Sequence, residues 1–103
     1  MAEYAAIRNA DRCPTHPGEL LREDLIPATG KPTAEIARLV GVWRQYLYEI
    51  LEEKKPVSPA VSARLGKLFG DGAGVWVRMQ GAYDAWHAER NVDVSAIPTI
   101  RAA

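Results

Sequence analysis

The most restrictive feature of this chain is a set of seven positions between residues 33 and 50. Counting Thr33 as the first place, apolar residues stand at the fourth, eighth, tenth, fifteenth and eighteenth places: Ile36, Val40, Val42, Leu47 and Ile50. The fifth place is Ala37 and the ninth is Gly41. A small fifth residue lets two helices cross closely, and a glycine at the ninth turns the chain through a left-handed conformation that other residues resist. Together they predict two short helices joined by a tight turn, a helix-turn-helix. An ordinary helical hairpin is the plainer alternative, but it does not demand the small residue and the glycine at this spacing.

The flanking segments extend the helical pattern. In "THPGELLREDLIPATG", Pro17 suits a first helical position, His16 or Thr15 can cap it, and Leu20, Leu21, Leu25 and Ile26 make one apolar stripe. Pro27 and Gly30 are expected to end that helix. "VSPAVSARLGKLFG" starts at Ser58 and Pro59, carries a stripe at Val61, Leu65, Leu68 and Phe69, and stops at Gly70. The last helix, "GVWVRMQGAYDAWHAER", places Val75, Trp76, Met79, Ala82, Tyr83 and Trp86 on one wide face. The expected organisation is a flexible arm over residues 1–14 and a helical domain over 15–90. Within that domain the motif lies at about 33–52 and a dimerisation helix at about 73–89, and an extended tail follows over 91–103.

Composition removes several function classes. Lys plus Arg and Asp plus Glu are 13 each, so binding to nucleic acid by bulk phosphate neutralisation is excluded, and any such binding needs locally placed charge or a dimer. Within residues 31–55, five cations (Lys31, Arg38, Arg44, Lys54, Lys55) face four carboxylates (Glu35, Glu49, Glu52, Glu53). Cys13 is the only cysteine, which rules out an intrachain disulfide and suits a reducing, cytoplasmic setting. No apolar run approaches the ~18 residues of a membrane span. His16 reads as a cap, His87 as a surface residue, and Cys13 has no evident base. No catalytic set, metal site, cofactor or small-molecule ligand is therefore expected.

The motif geometry turns Arg44, Gln45, Tyr48, Glu49 and Glu52 outward from the second helix, with Trp43 and Tyr46 at its start. Arg44 suits guanine through its bidentate fork, Gln45 suits adenine, and Glu49 can accept from a cytosine amino group. Two other uses of the rings remain open. Trp43, Tyr46 and Tyr48 can form a protein-binding surface with the motif kept as scaffold, or Trp43 and Tyr48 can pack on thymine methyls and the sugar-phosphate backbone; helix geometry also allows Tyr46, and Trp43 with it, to fold back onto the core.

"HPGELLREDLIPATG", "AEIARLVGVWRQYLYEIL", "VSPAVSARLGKLFG" and "VWVRMQGAYDAW" together resemble the HigA-type antitoxins, a branch of the lambda-repressor-like (XRE) helix-turn-helix proteins. The resemblance covers about residues 15–88. It implies an all-α, five-helix domain that forms a homodimer, binds the palindromic operator of its own promoter, and neutralises a small toxin, commonly a RelE-like ribosome-associated endoribonuclease. Carried over by position, it puts Thr33 at a phosphate-contacting helix start, Arg44, Gln45 and Glu49 at base-reading places, and Lys54 and Lys55 beside phosphates.

Three departures stand out. Trp43 replaces a small hydroxyl cap, Glu52 and Glu53 replace a frequent Asn-Gly, and Pro32 replaces a hydroxyl cap, with Thr33 the substitute if the helix starts one residue later. Trp76, Met79, Tyr83 and Trp86 give more apolar surface than a small core needs, and are expected at a two-fold dimer interface. For the toxin, Arg22 within residues 1–28 is one expected contact, and the tail "DVSAIPTI", added to a sheet edge, is the other.

Overall fold

The computed structural model describes residues 11–101, so most of the expected N-terminal arm and the last two residues lie outside the described residues. The described residues form five helices and no strand. The first, α1, has three consecutive segments: Pro17–Leu20, a π-helical stretch Leu21–Leu25, and Ile26–Thr29. Then follow α2 (Thr33–Val40), α3 (Arg44–Leu51), α4 (Pro59–Phe69) and α5 (Ala73–Asn91).

His16 caps α1, its Nδ1 accepting from the Gly18 N–H at 2.8 Å, with Pro17 at the first helical position. Pro27 does not end this helix. The π-helical stretch just before it widens the turn, with Ile26 N–H donating back to the Leu21 carbonyl. Pro27, which has no N–H and would crowd a regular turn, is thereby accommodated, and the helix continues to Thr29 and stops at Gly30.

Each helix contributes to one core. Leu21 from α1, Ile36 from α2, Leu47 and Ile50 from α3, Leu65 from α4 and Trp76 from α5 are all at most 1% exposed. On α4 the expected stripe is corrected at Leu68, which faces outward, while the smaller Ser62 and Gly66 take inward places. That substitution of bulk follows from proximity. A Cβ on Gly66 would lie 2.7 Å from the Ala73 nitrogen and still closer to the Gly72 backbone, so α4 meets the start of α5 without an intervening side chain.

Trp76, expected at a dimer interface, lies wholly inside this chain's own core. Its indole N–H donates to Asp71 at 3.0 Å, and its ring lies 6.1 Å from Phe69 of α4. Tyr83 likewise turns inward, edge-on to His16 at 4.7 Å. The N-terminal end of α1 needs a cover, and this face of α5 supplies it. Met79 and Trp86 are partly covered, the latter beneath the Arg90 guanidinium at 3.8 Å.

From Ala88 to Arg101 every residue is exposed. The radius of gyration, 16.5 Å, exceeds the ~13 Å of a compact chain of about 100 residues, as a projecting helix end and tail require.

Candidate nucleic-acid interface

The two-helix unit is built as its spacing demands. Gly41 takes a left-handed conformation (φ 76°), and both its N–H and that of Val42 donate to the Ala37 carbonyl, at 2.9 and 3.0 Å. Arg64, reaching from α4, donates to the Val40 carbonyl at 2.9 Å and closes the end of α2. Any Cβ at position 41 would also press on that guanidinium, at 2.6 Å. Ala37 is buried, and α3 follows the turn with Leu47, Ile50 and Leu51 held in the core.

This arrangement exposes Arg44 and Gln45 on the first turn of α3, and neither engages another described side chain. Trp43 precedes them in an extended conformation (φ −63°, ψ 139°) without a side-chain cap bond, and is 86% exposed. Tyr48, one turn on, is also exposed. Here are two free hydrogen-bonding side chains of complementary type and two rings on one outward surface, suited to polar base edges and methyl groups in a groove.

Other expected site residues lie elsewhere. Tyr46 packs against the core, because it shares a helix face with Ile50, so it is withdrawn from the reading surface. Glu49 is half-covered at the edge of that surface. Thr33 is the first residue of α2, not its cap. The cap is Pro32, which offers no side-chain acceptor.

Lys54 and Lys55 are exposed beyond α3, with Lys54 3.4 Å from Glu52. Glu53 turns toward Arg22 of α1, at 3.4 Å. Glu52 and Glu53, which stand where Asn-Gly is frequent, therefore each have a cation nearby.

Arg22 is exposed and at the same time engaged within the chain. The sequence offers it as a free charge for a toxin, but its Nη1 donates to the Leu51 carbonyl at the end of α3.

The His-Pro-Gly-Glu stretch gains a physical reason here. A Cβ on Gly18 would collide with the Ile50 carbonyl, so glycine lets α1 press on the C-terminal half of α3. His16 is buried, and loss of water pushes its pKa below the ordinary histidine value. Glu53 and Asp84 oppose that fall, a hydrogen bond to the Lys55 backbone also opposes it, and Arg22 adds to it. Nδ1 accepts from Gly18 while the ring engages the Lys55 backbone, an arrangement only the neutral ring can keep.

One proximity was invisible in the sequence. Cys13 Sγ lies 3.6 Å from His87 Nε2 across 74 positions of chain, in an aromatic row where His87 also meets Tyr83 at 4.4 Å.

The fold and the outward residues of α3 define a helix-turn-helix protein of the lambda-repressor-like class. A comparison with protein-family models finds no match. Virulence-associated protein I of Dichelobacter nodosus is 34% identical over 76 residues, 74% of this chain and 70% of that protein. Among solved structures, the antitoxin GraA is 30% identical with a TM-score of 0.75, covering 89% of this chain and 99% of that one. GraA is also solved in complex with its operator. The Pseudomonas aeruginosa antitoxin HigA, solved with the higBA promoter, is 27% identical with a TM-score of 0.75, over 85% of this chain and 96% of that one.

The chain belongs to the HigA-type antitoxin family of helix-turn-helix regulators. It is not an enzyme, in keeping with relatives that are antitoxins and transcriptional regulators. No helix of the described residues is long and apolar enough to cross a membrane.

Proposed function

We propose that this chain is a cytoplasmic, dimeric antitoxin that represses its own operon through α3 and neutralises a small toxin of the RelE-like mRNA endoribonuclease class. The observation that carries the DNA half is the presence of Arg44 and Gln45, exposed and unengaged, on the first turn of the helix that Gly41 aims outward. The operator complexes of GraA and HigA support the same use of this fold. Lys54 and Lys55 serve phosphates, and Trp43 and Tyr48 pack on sugars or methyls.

With Trp76 in the core, the dimer face moves around α5. An apolar cleft of about 440 Å³ runs along Val77 and Gly81 beside Val57 and Pro59, and we assign the second copy to it. A two-fold pair would set the reading helices about one DNA turn apart, ~34 Å, on a palindromic site. The toxin contact moves from Arg22 to the tail, where Val92, Val94, Ile97 and Ile100 are 57%, 57%, 68% and 90% exposed and suit addition to a sheet edge.

A salt-titrated gel shift on the DNA directly upstream of the coding sequence tests the DNA half. Specific retention should fall about tenfold or more with Arg44→Ala or Gln45→Ala, since a bidentate base contact is worth ~1–3 kcal/mol. No retention at low salt would remove the repressor reading. It would favour the second reading, in which the 86% exposure of Trp43 marks a protein-binding surface on a retained scaffold. Co-purification of the neighbour-encoded protein, lost when residues 92–103 are removed, tests the toxin half separately.

A further inference from the structure

Both helices of the DNA-facing pair end on a left-handed residue. For α2 it is Gly41, and for α3 it is Glu53 (φ 63°), the one non-glycine residue with positive φ among the described residues. The backbone around Glu53 closes the double ring that usually carries glycine at this place. Lys54 N–H donates to the Glu49 carbonyl and Glu53 N–H to the Ile50 carbonyl, both at 2.9 Å. A side chain there crowds its own carbonyl, and the Leu51 carbonyl has no donor from within the helix.

Arg22 of α1 meets both demands. Its Nη1 donates to the Leu51 carbonyl and stands 3.4 Å from Glu53 Oε2, while its Nε is held by Glu23 at 2.8 Å. Arg64 plays the matching part for α2 at the Val40 carbonyl, but there the turn residue is glycine and needs no ionic partner.

We propose that Arg22 and Glu53 form a latch that replaces the turn glycine of the reading helix, making Arg22 a positioning residue for DNA binding. The latch fixes where Lys54 and Lys55 leave α3, and so where they meet phosphates. This rests on the DNA-binding reading above. It also accounts for Glu53 beside the groove, since its carboxylate is turned toward Arg22.

The test combines two readouts on the full chain. On a duplex spanning the DNA upstream of its own coding sequence, Arg22→Met should bind roughly tenfold more weakly, because the left-handed turn loses its partner. The double variant Arg22→Met/Glu53→Gly should regain most of that loss, since glycine takes the turn unaided. Glu53→Ala should bind several-fold more weakly than Glu53→Gly.

Amide hydrogen exchange at residues 52–55, read without DNA, should quicken in Arg22→Met and slow again in the double variant. Unchanged exchange in Arg22→Met, no rescue by glycine, or equal behaviour of Glu53→Ala and Glu53→Gly would overturn the latch. Absence of DNA binding by the unmodified chain, with the exchange pattern as expected, would overturn the DNA-binding reading instead and leave the latch a device of the fold.

Discussion

Replacing Gly18 with alanine should be among the most damaging single-methyl changes available to this protein. An added Cβ would stand 2.8 Å from the Ile50 carbonyl carbon, nearer still to its oxygen, and 3.1 Å from His16 Nδ1, where ordinary contact begins at 3.4 Å. The obstacle is backbone on one side and a buried cap on the other, so no flexible side-chain end can swing away. α1 must retreat from α3. Overpacking of this kind costs ~1–3 kcal/mol, and stretching the 2.8 Å bond from the Gly18 N–H to His16 adds about 1 kcal/mol for the weakened cap.

A total of about 2–4 kcal/mol corresponds to a fall in melting temperature of roughly 8–30 °C for a domain of this size. Thermal unfolding followed by far-ultraviolet circular dichroism measures it directly. A fall of less than about 3 °C, at the ~4–8 °C expected per kcal/mol, would mean that α1 can slide on α3 at little cost. The close docking of the His-Pro-Gly-Glu stretch would then not be what holds the end of the reading helix.

Acidification should act through His16, whose folded pKa is lowered chiefly by burial. Below about 6.5, the unfolded chain takes a proton that the folded chain refuses. The stability His16 confers is therefore complete above that value and lost as pH falls through its lowered folded pKa. Urea midpoints at pH 7.5 and 5.5 should differ more for the unmodified chain than for His16→Asn, which keeps a cap acceptor but cannot titrate. Gln80→Leu should cost about 1–3 kcal/mol by chemical denaturation, because the buried Gln80 Oε1 is the acceptor for the Val57 N–H at 2.8 Å and leucine leaves that donor unpaired. Trp43→Ala should leave stability within about 0.5 kcal/mol, given its 86% exposure, while weakening specific DNA retention. An unstable Trp43→Ala protein would show that the ring packs on the fold.

The features that could be read from the sequence share one property: they depend on residues close together in the chain. Ala37 and Gly41 mark the turn, Ser58 with Pro59 the start of α4, and His16 the cap of α1, because spacing alone fixes such contacts. Arg44 and Gln45 are placed outward by the same count.

What the sequence left open depends on which helix face meets which neighbour. Trp76 and Tyr83 belong to an apolar stripe whether α4 and α1 or a second chain covers it, and periodicity does not name the cover. Arg22 and Glu53 are 31 positions apart and meet because α1 lies on the end of α3. One signal was present: a glutamate where the family often has glycine implies a partner that makes the left-handed turn tolerable. Pro27 misled for a local reason, since the π-helical widening before it is not written in any single residue.

The contact between Gly66 and the backbone at Gly72 and Ala73 has a consequence for the DNA as well as for the protein. Where Gly66 meets Gly72 and Ala73 no side chain separates the end of α4 from the start of α5, and α4 in turn carries Arg64, which closes the two-helix unit at Val40. In a dimer joined along α5, the separation of the two half-sites is then set by backbone touching backbone. In that proposed pair, a side chain placed at position 66 should alter the separation of the two reading helices, and with it the operator spacing that suits them.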